Sequence, residues 1–122
     1  MAVTFVVGVI HRWNHTPLIL IKHFQDLLFD FYSSFGCYGN GEGEFDCLAG
    51  VAVNKIGQYI IADRYNHRIQ IFDATGHFIR AFGSQGTVDG KFSYPWGITT
   101  DNLGLIYVCD KENHRVQVGT LY

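Results

Sequence analysis

The chain has 122 residues and a formal net charge of −2 with pI ≈ 6.3. It has room for one domain, and the charge excludes a bulk polyanion binder, so any contact with nucleic acid must be a local patch. A hydrophobic content of 48% with 16% aromatics excludes a disordered chain, and 14 Gly against 2 Pro point to tight turns between short strands.

Residues 1–30 form a lead-in unlike the rest. Met1 to Ile10 is apolar but has no basic start and breaks at His11-Arg12, so a secretory signal is not expected. Thr4 to Val9 holds five β-branched or aromatic residues and reads as strand. Thr16-Pro17 suits a helix start, and Leu20, Phe24, Leu27, Leu28 and Phe31 would share one side of a helix. Ile19 and Ile21 spoil its polar face, so helix and strand stay open over Thr16 to Leu28. No apolar run reaches the ~18 residues that span a bilayer. Cys37, Cys47 and Cys109 are odd in number and form no CxxC pair. That argues against a disulfide framework or a cysteine zinc site and for a reduced, cytoplasmic setting.

From about Phe31 a register locks. Asp63 to Phe72, DRYNHRIQIF, returns 47 residues later as Asp110 to Val118, DKENHRVQV. Phe35, Gly36, Gly39, Gly43, Phe45, Gly50 and Gly57 have identical partners at the same spacing, without a gap. Self-similarity at this period signals a repeat architecture. Each unit parses as four short strands: Gly50 to Val53, Tyr59 to Ala62, Arg68 to Phe72 and Phe78 to Phe82. The second copy gives Gly97 to Thr100, Ile106 to Cys109 and Arg115 to Val118. Gly57, Asn66 and Gly76 stand where a left-handed residue would reverse the chain. Four strands per ~45 residues, apolar on both faces, is the pattern of a β-propeller blade. Phe31 to Phe35 aligns with Phe78 to Phe82 and reads as the outer strand of a preceding blade.

The pattern Gly-Val-Ala-Val, then Ala62-Asp63, then Asn66-His67-Arg68-Ile69-Gln70-x-Phe72 resembles the NHL repeat of the tripartite-motif family (RING, B-box, coiled coil, NHL). The resemblance spans about Ser34 to Val118. The fold class expected is all-β, an incomplete propeller of NHL repeats. Its parts are a lead-in at 1–30, a first repeat with the preceding outer strand at 31–81, and a truncated second repeat at 82–122. Gly119 departs from the pattern by standing where Phe72 stands. A family propeller of about six blades is longer than this stretch, so the chain as given is expected to expose blade faces and to be aggregation-prone.

In an antiparallel meander the connections alternate between two ends. The turns at Asp63 to Asn66 and Asp110 to Asn113 therefore share a rim with the entries Phe45 to Ala49 and Phe92 to Trp96. Arg64, Tyr65, Tyr94, Trp96 and Lys111 converge there, and basic side chains beside exposed rings suit RNA, by phosphate pairing and base stacking. In the resembling family this face binds RNA, hairpin or single-stranded, to repress messages; the resemblance implicates Arg64, Tyr65, Trp96 and Lys111, with His67 and Arg115 behind them. A protein platform for the parent's ubiquitin ligase is the alternative. The plainer readings stand beside these. Asp63 and Asp110 are turn acceptors, and Arg68 and Arg115 pair with them. Trp96 can equally be buried between blades, and Glu42, Glu44, Asp46 and Asp89 dilute the rim's charge. No nucleophile elbow, phosphate loop or RING ligand set is present, and His11 and His15 lack a third metal ligand. The expectation is a binding piece and no enzyme, with no cofactor, metal, membrane or small-molecule substrate.

Overall fold

The computed structural model describes residues 3–9, 18–25 and 28–121, and the side chains of residues 32–121. Twelve strands appear in chain order: β1 Val3–Val9, β2 Leu18–Gln25, β3 Leu28–Phe35, β4 Cys37–Tyr38, β5 Glu44–Phe45, β6 Val51–Val53, β7 Tyr59–Asp63, β8 Arg68–Phe72, β9 Phe78–Phe82, β10 Pro95–Thr100, β11 Leu105–Asp110 and β12 Arg115–Thr120. The only helical elements among the described residues are one-turn 3-10 segments, Arg64–Asn66 and Lys111–Asn113.

The fold is all-β. A four-stranded antiparallel sheet runs β6-β7-β8-β9, and a three-stranded one runs β10-β11-β12. The inner, middle and outer strands match the sequence parsing to within one or two residues. The helical alternative over Thr16 to Leu28 is corrected: β2 pairs antiparallel with β1 and β3. Its β-branched Ile19 and Ile21, which spoil a helix, suit a strand paired on both edges. Residues 16–17 and 26–27, and the pair His11 and His15, lie outside the described residues. The lead-in thus contributes a third antiparallel meander, β1-β2-β3, whose last strand is the expected outer strand at Phe31 to Phe35.

Strand alternation decides the packing. Along β7, Tyr59 and Ile61 point to one face while Ile60 and Ala62 point to the other, and all four are buried. The first pair joins Phe45, Leu48 and Phe72, against which Phe35 of β3 packs. The second pair joins Ile69 and Ile71 of β8, Phe92 of the following loop, and Ile106 and Val108 from the next sheet. The first sheet is therefore a layer between neighbours. The inner strands approach closely: a Cβ on Gly50 would lie 2.5 Å from the Trp96 carbonyl oxygen. A larger residue at Gly50 would force β6 and β10 apart, which gives this glycine a reason.

The turns differ from expectation in one place. Gly57 and Gly76 are left-handed, at φ 88° and 89°. In the turn between β7 and β8, however, His67 and not Asn66 takes the left-handed conformation, at φ 52°, and His114 does so in the second copy, at φ 56°. Asn66 is held in the 3-10 turn, donating from Nδ2 to Asp63 Oδ2 and to the Gly39 carbonyl.

Candidate nucleic-acid interface

Each 3-10 turn is tied down by a buried aspartate. Asp63 Oδ1 accepts the Asp46 N–H at 2.9 Å; Oδ2 accepts from Asn66 Nδ2, Arg68 Nε at 2.7 Å and Gln70 Nε2. Asp110 repeats the set with Ser93, Asn113, Arg115 and Gln117. The aspartates are turn acceptors, as expected, but the backbone N–H they hold belongs to the entry loop of the inner strand. That bond, with Tyr65 N–H to the Asp46 carbonyl and Glu112 N–H to that of Ser93, fixes turn and entry loop together as one rim.

Burial is the largest influence on both carboxyls and pushes each up. At Asp63 it prevails and the pKa is raised. At Asp110 the Ser93 N–H, Asn113, Arg115 and Gln117 together outweigh it, and the pKa is lowered.

Six rim residues line one cleft of about 240 Å³: Arg64, Tyr65, Tyr94, Trp96, Lys111 and Glu112. Five of the sequence candidates are thus brought together. The Arg64 guanidinium carbon sits 4.5 Å from the Trp96 ring centre and 4.9 Å from that of Tyr65. Lys111 Nζ sits 4.6 Å from the Trp96 ring centre. Such contacts contribute about 0.5–1 kcal/mol each at exposed sites. Trp96 is 46% exposed, so it is not buried between blades. It serves as a shared platform on which two cations rest. Tyr65 and Tyr94 meet edge to face at 5.7 Å, and His67 stands behind Tyr94 with ring centres 4.4 Å apart.

Arg115 lies elsewhere. It is bound to Asp110 and to the Val88 and Lys91 carbonyls, and it lines a separate cavity of about 430 Å³ beside Gly119. The acids that were to dilute the rim stay out of the cleft. Glu44 folds back onto the Gly41 N–H, and Asp89 stands 3.8 Å from Arg115. Glu112 is the one acid lining the cleft, 3.8 Å from Lys111.

Cys47 was not foreseen. Buried under the rim, its Sγ accepts from Arg64 Nη2 at 2.7 Å and steadies the guanidinium from below. Its signal was positional: Cys47 occupies in the first repeat the slot of Tyr94 in the second, and both are left-handed, at φ 54° and 53°. No group of three His, Cys, Asp or Glu among the described residues is placed to hold a metal ion. At about 240 Å³ the cleft lies below the ~300–1,000 Å³ typical of small-molecule pockets.

The comparisons with known proteins fit this geometry. The model for the NHL repeat matches residues 45–72 and 92–118. The B-box type zinc finger protein ncl-1 of Caenorhabditis elegans is 48% identical over 48 residues, covering 39% of this chain and 6% of that protein. Protein brain tumor of Drosophila melanogaster is 50% identical over 48 residues, covering 39% and 5%. The E3 ubiquitin-protein ligase TRIM71 of Rattus norvegicus is 51% identical over 45 residues, covering 37% and 5%. The matched segment is thus about one-twentieth of these relatives. Two solved structures from Bacteroides thetaiotaomicron share the fold with TM-scores of 0.62. An auxiliary nutrient binding protein, 15% identical, is matched over 93% of this chain and 37% of its own. A putative phosphatase, 12% identical, is matched over 96% and 35%.

Proposed function

We propose that the two NHL repeats this chain carries, at 45–72 and 92–118, bind RNA at the rim and serve the repression of messages in the cytoplasm. The NHL repeat is a binding unit and not a catalytic one; which polymer it binds is the proposal. One observation carries it: Arg64 and Lys111 rest on the same Trp96 ring, in a cleft walled by Tyr65 and Tyr94. Two cations fixed by one platform present paired charge to a phosphodiester without a rotamer search. Tyr65 and Tyr94, 48% and 37% exposed, leave faces on which bases stack, worth ~1–3 kcal/mol each. Trp96 then orders the cations more than it stacks bases.

The test is binding of a uridine homopolymer and of a GC-stemmed hairpin to the chain across a salt series. Arg64→Ala and Lys111→Ala should each weaken binding at every sequence and flatten the salt slope by about one unit. Affinity and slope unchanged in both variants would remove RNA from the rim.

A second reading rests on the same exposed Tyr65, Tyr94 and Trp96, since Tyr, Trp and Arg dominate protein interfaces. The rim then presents partner proteins, and in a ligase such as TRIM71 those partners would be substrates. Pull-down partners that survive nuclease treatment favour it; partners lost with nuclease favour RNA.

A further inference from the structure

The His67–Tyr94 contact joins the turn of one repeat to the entry loop of the next. His67 Nδ1 accepts the Tyr94 N–H at 3.0 Å, which requires a lone pair there and puts the imidazole proton on Nε2. The bond crosses between two left-handed residues, at φ 52° and 53°, a backbone that L side chains adopt only when held. It also sets where the Tyr94 ring goes: in edge contact with His67 on one side and with Tyr65 on the other. Those two tyrosines are the aromatic wall of the cleft.

We propose that His67 is a positioning residue that latches Tyr94 into the rim, and that the cleft keeps its aromatic wall only while the imidazole is neutral. Protonation places an N–H on Nδ1 facing the Tyr94 N–H; the hydrogen bond is lost and two donors oppose each other. The entry loop is then released from the turn, and Tyr94 no longer packs against Tyr65. The asparagine and arginine flanking His67 serve the Asp63 network. The histidine between them serves the neighbouring repeat.

The charged groups that act on the imidazole are the carboxylates of Asp63 and Asp110, which favour its charged form; burial disfavours that form and is the larger influence. The folded pKa therefore lies below the ordinary 6.5. The sign follows: the latch is complete above that value and is lost as pH falls through the lowered one. Simple charge counting gives the opposite, since a protonated rim histidine adds a cation and should tighten RNA binding. The two accounts are separable by direction alone.

This inference deepens the RNA reading and borrows its ligand, but the latch itself can be read without RNA. In the 15N-labelled chain, Tyr94 amide protection from exchange should fall together with His67 ring protonation. Affinity for the uridine homopolymer at fixed ionic strength should drop about three- to tenfold over the same pH range, the worth of one net hydrogen bond. His67→Asn keeps an acceptor oxygen and tolerates the left-handed backbone, so it should bind as the wild type does at neutral pH and lose the pH dependence. His67→Ala should bind weakly at every pH. A Tyr94 amide that stays protected while His67 titrates overturns the latch. So does wild-type affinity that rises as pH falls. Failure to bind RNA at any pH overturns the RNA reading and leaves the latch to be decided by the Tyr94 amide.

Discussion

Ile69 and Ile71 of the first repeat are 0% and 1% exposed, whereas Val116 and Val118, at the same positions of the second, are 59% and 55% exposed. Gln70 is fully buried and closes on Asp63, the Glu44 carbonyl and the Gly43 N–H. Gln117 makes the same three bonds with Asp110, Lys91 and Gly90, in partly open surroundings. Local grammar is therefore complete in both copies, while burial is not. The first sheet lies between β3 and the second sheet; β12 has no outer strand beside it among the described residues. A blade makes its own hydrogen bonds but borrows its hydrophobic stabilisation from neighbours, which is why such units behave as a one-dimensional array.

Outer packing sharpens the contrast. Phe72 touches Phe35, Phe45 and Phe78 at ring separations of 5.0–5.8 Å. Its counterpart Gly119 has no atom within 4 Å of where a Cβ would be, and the 430 Å³ cavity lies there, lined by Phe82, Phe92, Ile106 and Val108. The missing ring at Gly119 and the absence of an outer strand like β9 among the described residues together separate a filled layer from an open one.

These differences can be broken in order of size. Phe72→Ala should cost about 3–5 kcal/mol in denaturant unfolding, as a large ring leaves a packed layer. Asp63→Ala should cost nearly as much, about 3–5 kcal/mol, because it strands the Arg68 charge and the buried Gln70; a loss below that of Asp110→Ala, whose partners Arg115 and Gln117 are more open, would contradict this. Ile69→Ala should cost about 2–4 kcal/mol, and Val116→Ala well under about 1 kcal/mol, since its side chain is largely in water. Gly119→Phe should go the other way and stabilise by about 1 kcal/mol as its ring enters the cavity; a destabilised variant would show that the layer cannot accept it.

The smallest effect is in acid. Asp110 has its pKa lowered from 3.8, so its share of stability is present above that value and lost as pH falls through the lower folded one. Asp63, raised by burial, holds its proton more tightly folded than unfolded, and its contribution runs in the opposite sense. Following the unfolding midpoint from neutral pH to below 3.8, Asp110→Asn should flatten the acid loss and Asp63→Asn should not. Equal slopes in both variants would mean that the two networks titrate alike.

Much of the site was legible because the repeat is written in side chains that make local bonds. Asp63, Arg68 and Gln70 sit five and seven residues apart, and a two-stranded turn brings them together wherever it folds. Constant spacing then copied the arrangement to Asp110, and meander topology alone placed Arg64, Tyr65, Trp96 and Lys111 on one rim. The lead-in was less legible, since an apolar run suits helix and strand alike. A signal was nevertheless there in the sequence: Arg12-Trp13-Asn14-His15, which lies outside the described residues, echoes Arg64-Tyr65-Asn66-His67.

The sequence by itself determined the repeat, its strands and which residues share an end, because these follow from spacing and alternation. Only the tertiary structure decided that Trp96 holds two cations instead of lying between sheets, that Arg115 faces away from the cleft, and that His67 and not Asn66 reverses the chain. The third is set within the turn, since His114 does the same and each histidine N–H bonds the carbonyl three residues back. The first two depend on a contact between different repeats or with an entry loop: Trp96 with Arg64, and Arg115 with Val88 and Lys91. Such contacts are set by how one layer stacks on the next, and no period within a single strand records that.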